Sequence, residues 1–98
     1  MEPYTVGTRV YYTGDMANGP SFGTIINCRS ADRFAPESVD IRFDEPRFEG
    51  DLSQTAKGIW LVMFKPSIGR RFWLADEWKA DQKRKFEEME TRFRNAVA

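Results

Sequence analysis

The chain contains no histidine and only one cysteine, Cys28. Without histidine the usual general base, the usual activator of a nucleophile and the commonest metal ligand are all missing. A single cysteine excludes an intrachain disulfide, and with no second Cys or His it excludes a zinc site. Free cysteine packs well as a small apolar side chain, so Cys28 reads as a strand residue. Charge of one sign is also lacking: Lys+Arg and Asp+Glu stand at 15 each. A dedicated nucleic-acid domain is normally basic, so this balance counts against one without excluding a local basic face. No apolar run approaches membrane-spanning length and no signal peptide is evident, which makes the cytoplasm the expected compartment and no membrane the expectation. The glycines Gly14, Gly19 and Gly23 form neither a dinucleotide fingerprint nor a P-loop.

What is present is a folded composition. The chain has 98 residues, 41% hydrophobic and 14% aromatic. That length suits one domain with one modest core. The aromatic content argues against disorder.

The most informative stretch is Val6 to Cys28. Residues 8–13 are β-branched and aromatic, with Val10 and Tyr12 on one face and Arg9 and Tyr11 on the other. Gly14-Asp15 stops the run, and Asn18-Gly19-Pro20 marks a pinned irregular loop over 14–22. Gly23-Thr24-Ile25 opens a second strand. A glycine before the first strand (Gly7), a Gly/Asn/Pro-rich loop and Gly23-Thr24-Ile25 resemble the opening of an SH3-like small β-barrel, most similar to the KOW and Tudor-like branches. The resemblance spans residues 4–74.

Farther along, 29–38 reads as a polar loop containing Pro36. Val39, Ile41 and Phe43 alternate with Asp40 and Arg42 in a half-buried strand. Residues 44–57 hold Asp44, Pro46, Gly50 and Asp51, all breakers, and form the longest irregular segment. Residues 58–65 are apolar on both faces and read as a strand with Ile59, Leu61 and Met63 inward. A turn at 66–69 then predicts a hairpin with 70–74. The expected strands are 7–13, 23–29, 38–44, 58–65 and 70–74. The expected core is Val10, Tyr12, Ile25, Val39, Ile41, Phe43, Ile59, Leu61, Met63, Phe72 and Leu74.

From Ala75 the chain has no Gly or Pro and many helix formers. It predicts one amphipathic helix over 75–96, with Asp76 as N-cap and Glu88–Arg92 and Glu90–Arg94 as i,i+4 pairs. Trp78, Phe86, Met89, Phe93 and Val97 make an apolar stripe. Two covers are open for that stripe: a fold-back onto 58–65 anchored by Trp78, or a second chain. The expected fold class is therefore α+β: an SH3-like antiparallel barrel of about five strands over 1–74, then an amphipathic C-terminal helix over 75–98, in one domain.

Candidate chemistry is sparse. Asp44, Glu45, Glu49 and Asp51 could offer oxygen ligands to a hard cation, but their spacing does not match an EF-hand loop and a solvated acidic loop is the plainer reading. Tyr11, Tyr12, Phe22 and Phe43 could form an aromatic cage, with core packing the plainer reading. Arginine outnumbers lysine ten to five, and Arg9, Arg29, Arg33, Arg42, Arg70 and Arg71 interleave with Tyr11, Phe22, Phe34 and Trp73. Two functions from different classes follow. One is a non-enzymatic protein-interaction module, a regulator or inhibitor of a size that suits phage and other mobile elements, working alone or as a homodimer through the C-terminal helix. The other, implied by the KOW resemblance, is a nucleic-acid-associated module contacting phosphates through arginines and aromatics. The expected partner-binding residues are Tyr11, Arg42, Phe48, Phe22, Arg70 and Arg71, carried by the loops 14–22 and 44–57 and the strands beside them. No catalytic residue, cofactor or metal is expected.

Overall fold

The computed structural model describes residues 3–97. Its elements are β1 (Arg9–Tyr12), β2 (Ser21–Arg29), β3 (Ser38–Phe43), β4 (Thr55–Trp60), a 3-10 turn (Leu61–Phe64), β5 (Phe72–Leu74) and α1 (Ala75–Val97). The strands form one antiparallel sheet in the order β4-β3-β2-β1-β5. It curls into a half-barrel, so the expected α+β small barrel with a C-terminal helix is the fold.

Alternation builds the core as anticipated. Val10, Tyr12, Ile25, Val39, Ile41, Phe43 and Phe72 are buried together inside the curl. Each such side chain contributes about 1.5–3 kcal/mol relative to full exposure. Gly23 allows the curl: a Cβ there would lie 2.8 Å from the Arg42 carbonyl oxygen and 2.8 Å from Ile41 Cγ2. No side chain fits between β2 and β3 at that point.

The fourth strand departs from expectation. It runs 55–60 rather than 58–65, so the irregular loop ends at residue 54. The register against β3 shifts between Val39 and Ile41, and the bulge falls at Gly58, which has a φ of +68°. Asp40 pins this bulge, accepting the Gly58 N–H at 2.9 Å. After Trp60 the chain stops alternating. Leu61 N–H bonds the Glu37 carbonyl at 3.0 Å and Lys65 N–H bonds Val62 O at 3.1 Å. The backbone between them tightens into three residues per turn. Leu61 and Phe64, three apart, therefore point inward, while Val62 and Met63 face solvent. Met63 is thus a correction to the expected core, at 47% exposed, and Phe64 is the member that a period of two concealed. Ile59 and Leu74 are only partly buried at the core's margin.

The hairpin expected between 58–65 and 70–74 does not form. β4 and β5 occupy opposite edges of the sheet. The 3-10 turn and residues 65–71 carry the chain between those edges. Phe64 closes the barrel there, with its ring 5.5 Å from Phe72 and 5.3 Å from Tyr4.

One polar cluster is built into this core's rim. Asp40 accepts two bonds from Arg29, at 2.6 and 2.7 Å, and one from Asn27 at 3.3 Å, besides Gly58. The Arg29 guanidinium, foremost, holds the Asp40 carboxyl far below the usual carboxylate range. Cys28, half-buried on β2, donates to the Tyr4 carbonyl at 3.3 Å.

The helix follows β5 with no intervening loop, so Asp76 is not an N-cap. Asp76 and Glu77 instead lie in its first turn, where their charge suits the helix dipole.

Candidate interaction surface on the projecting helix

The first two turns of α1 seat the helix on the outer face of the barrel. Trp78 stacks on Tyr11 with ring centres 4.4 Å apart and planes 12° apart, and meets Trp73 edge-on at 5.3 Å. Lys79 Nζ sits 5.5 Å over the Phe22 ring. Arg70 pairs with Glu77 while its guanidinium lies 3.7 Å over Trp73. Trp78 is the anchor that the stripe's spacing suggested. The seat, however, is β1 and β5, not residues 58–65, and the expected fold-back of the stripe onto that segment does not occur.

Beyond Asp81 the helix stands clear. Every residue from Gln82 to Val97 is exposed. At about 1.5 Å per residue a helix of 23 residues is some 34 Å long, which accounts for a molecule 58 Å in its longest dimension and 32 and 23 Å in the others. Phe86, Met89, Phe93 and Val97 follow one another at three- and four-residue steps and are each 66–68% exposed. Side chains at these steps share one face of a helix. The rest of the helix surface is polar and laced with ion pairs: Arg84 with Asp81 and Glu88, Lys85 with Asp81, and Arg94 with Glu90. The expected Glu90–Arg94 pair forms, whereas Glu88 pairs with Arg84, one turn back, in place of Arg92. A contiguous apolar stripe of this kind on a solvent-exposed helix marks an interaction site more often than isolated surface hydrophobics do.

The expected binding residues fall into three places. Tyr11, Phe22 and Arg70 lie around the helix seat: Tyr11 is sandwiched between Trp78 and Phe22, whose ring is 4.7 Å away, and the Arg70 side chain is nearly buried. Arg71 reaches the loop end of the barrel, where it donates to the Gly14 carbonyl at 2.5 Å. Arg42 lies on the outer face of β3 opposite Thr24, and Phe48 is half-exposed on the 44–54 loop with Arg47 5.9 Å over its ring. They do not converge on one patch.

The loops 13–20 and 44–54 are tied into one end of the barrel. Gly19 N–H bonds Arg47 O at 2.7 Å, and Asp44 N–H bonds Phe22 O at 2.8 Å. Gln54, at a φ of +51°, turns the second loop and donates to Phe43 O and Asp44 O at 2.9 and 3.2 Å. Two of the four acidic residues of that loop, Asp44 and Asp51, serve the fold. Asp44 pairs with Arg9 at 2.5 Å. Asp51 accepts the Arg47 N–H at 3.0 Å and its side chain at 3.1 Å, and these bonds hold the Asp51 carboxyl below its ordinary range. Among the described residues no group of three or more His, Cys, Asp or Glu is arranged to hold a metal ion. The four residues of the conceived aromatic cage are split by the sheet, with Tyr12 and Phe43 inside and Tyr11 and Phe22 outside. Among the described residues no helix is long and apolar enough to cross a membrane.

The stripe's period was legible in the sequence, but its freedom was not. The available signal was Lys79 and Gln82, polar residues that interrupt the apolar face between Trp78 and Phe86. No family model matches the chain, and comparison with curated proteins and with solved structures gives no match.

Proposed function

We propose that this protein is a non-enzymatic binding module that acts by protein–protein contact, with the barrel as a rigid mount and the outer half of α1 as the docking element. The observation that carries the reading is the exposed stripe Phe86, Met89, Phe93 and Val97 on a helix whose first turns are clamped to the barrel. A helix with its apolar face in water is marginal by itself, and burial against a partner is what ordinarily sustains one. Helix-to-groove and helix-to-helix docking use side chains at these spacings as anchors. A regulator or inhibitor can work in this way, by occupying a partner's surface without chemistry of its own.

The charge distribution favours this over the nucleic-acid reading. Six of the ten arginines (Arg9, Arg29, Arg47, Arg70, Arg84 and Arg94) are ion-paired with carboxylates, which leaves less cationic surface for phosphates. The nucleic-acid alternative draws on Arg42 and on the exposed loop pair of Arg33 and Phe34, whose guanidinium lies 5.1 Å over the ring.

The test compares the wild-type chain with Phe86→Ser/Phe93→Ser, measuring both self-association and capture of proteins from the native host's extract. Association that depends on the stripe is the expected result. Association indifferent to the double substitution, or none in either assay, overturns the reading. Retention on heparin that falls steeply between two salt concentrations would favour the alternative instead.

A further inference from the structure

Resting on the docking role of the helix, we infer that the stripe's partner is a second copy of this chain, and that the two helices pair antiparallel across a two-fold axis level with Thr91. The shape of the molecule narrows the occupant first. Ala75 and Trp78, which seat the helix on the barrel, and then Gln82, Phe86, Met89 and Phe93 follow one another at three- and four-residue steps. Barrel and stripe therefore lie on the same side of α1, and the barrel and the free helix form an L with the stripe on its inner side. A flat surface laid along the stripe would strike the barrel. A rod that lies along the stripe and stops short of the barrel would not. The free part of α1 in a second copy is such a rod, with residues 82–97 extending about 24 Å beyond the seat.

The pattern of the free helix selects this occupant and its direction. Its apolar residues are symmetric about Thr91, and its charges are antisymmetric about the same point. Phe86 and Ala96 stand five residues to either side, Met89 and Phe93 two. Glu88 and Glu90 stand three residues and one residue before it, Arg94 and Arg92 the same distances after it. Two antiparallel helices crossing at this level set Phe86 of each copy against Ala96 of the other, a large side chain beside a small one, and Met89 against Phe93. The contact is the same patch on both copies, as a closed two-fold dimer requires. The acidic block 87–90 of each copy then runs alongside the basic block 92–94 of the other, whereas a parallel pair in register would set each block against its like.

In an antiparallel pair each flank of the seam meets the same flank of the other helix. On one flank, Arg94 comes within two residues of the level of both Glu87 and Glu90 of the other copy, about 3 Å along the axis. On the other flank, Arg92 comes equally near Glu88. Glu90 and Arg92 also approach their own copies at the same spacing, and each of these like pairs is bracketed by the opposite charges just named. Within one chain Arg94 pairs with Glu90 and Arg84 with Glu88, while Glu87 and Arg92 take no ion pair among the described residues. The dimer supplies a partner to both.

The dimensions fit a modest dimer. With Phe86 level with Ala96 of the other copy, that copy's Val97 comes level with Lys85, about 6 Å short of Asp81. The helix of each copy, Ala75–Val97, thus stops before the other's barrel. The four exposed apolar side chains leave roughly 500 Å² open on each helix. Covering both buries about 1,000 Å², the size of a weak, reversible interface.

Sedimentation equilibrium on the full chain, from micromolar to near-millimolar concentration, tests the pairing. The wild type should pass from monomer to dimer. Glu88→Arg and Arg92→Glu should each raise the dissociation constant roughly tenfold, since two symmetric attractive pairs become repulsive. The double variant Glu88→Arg/Arg92→Glu should return it to near the wild-type value. Cross-linking in a Cys28→Ser background tests the direction. A mixture of Phe86→Cys chains and Ala96→Cys chains should oxidise to the mixed disulfide, and neither alone should cross-link, because like positions lie about 15 Å apart along the axis. A chain monomeric throughout, a dimer indifferent to both reversals, a double variant as weak as the singles, or disulfides between like positions overturns the inference. If the chain stays monomeric while stripe-dependent capture of another protein persists, the pairing is overturned and the docking role stands.

Discussion

Phe64 and Phe93 are the same side chain on two helical turns, yet one is 2% exposed and the other 68%. Phe64 sits on a 3-10 turn held at both ends by the barrel, with Tyr4 and Phe72 against it. Phe93 sits five turns along a helix that the barrel grips only at its start. In the barrel, the inward-facing apolar residues are enclosed by strands that fold local pattern into three-dimensional closure. On the outer helix the pattern is just as regular and nothing in the chain closes over it. Apolar periodicity therefore reports which side chains need cover, and not whether the same chain supplies it.

Four substitutions probe this contrast, from the barrel outward. Phe64→Ala should cost about 3–5 kcal/mol in a denaturant melt, enough to remove much of a small domain's stability. A loss below 1 kcal/mol would mean the turn does not close the core.

Asp40→Ala should cost about 2 kcal/mol, because it leaves the Gly58 N–H and Arg29 without their acceptor. Its effect is pH-dependent. The carboxyl titrates lower in the folded chain than in the unfolded one, so its contribution is fully present above about pH 4, where the unfolded carboxyl is ionised. It declines as the pH is lowered from there toward the depressed folded value. Melts of wild type and Asp40→Ala should converge as the pH drops through that window. A constant gap across it would contradict the assignment.

Trp78→Ala should cost about 1–2 kcal/mol, the worth of one aromatic anchor partly buried between Tyr11 and Trp73. Its signature should be local: amide exchange at residues 75–81 accelerates while the core strands stay protected. If the strands lose protection equally, the helix is part of the barrel's cooperative unit rather than a clamped projection. Phe93→Ser should change the stability of the dilute, monomeric chain by less than about 0.5 kcal/mol. A larger loss would mean the stripe is covered within its own chain.

The candidate site was partly legible beforehand. The stripe, its spacing and Trp78 as anchor could be read because helical periodicity is local. The other expected contact residues were chosen as exposed loop or strand positions, and that choice could not anticipate the helix lying over Tyr11 and Phe22. Nor could it anticipate Arg70 spanning Glu77 and Trp73, contacts between groups brought together only by packing.

By itself the sequence determined the elements whose causes lie within a few residues. These are the alternation that makes β1, β2 and β3, the breakers that end them, and the run without Gly or Pro that makes α1. Tertiary structure decided the rest. Residues 61–64 became a 3-10 turn because β3 paired only as far as Trp60 and the barrel needed closing beneath its core. β5 joined β1 rather than β4 because the segment 61–71 spans the barrel's opening. The stripe of α1 remained in water because Trp78 found its seat on β1 and β5, a surface that exists only after those strands are assembled.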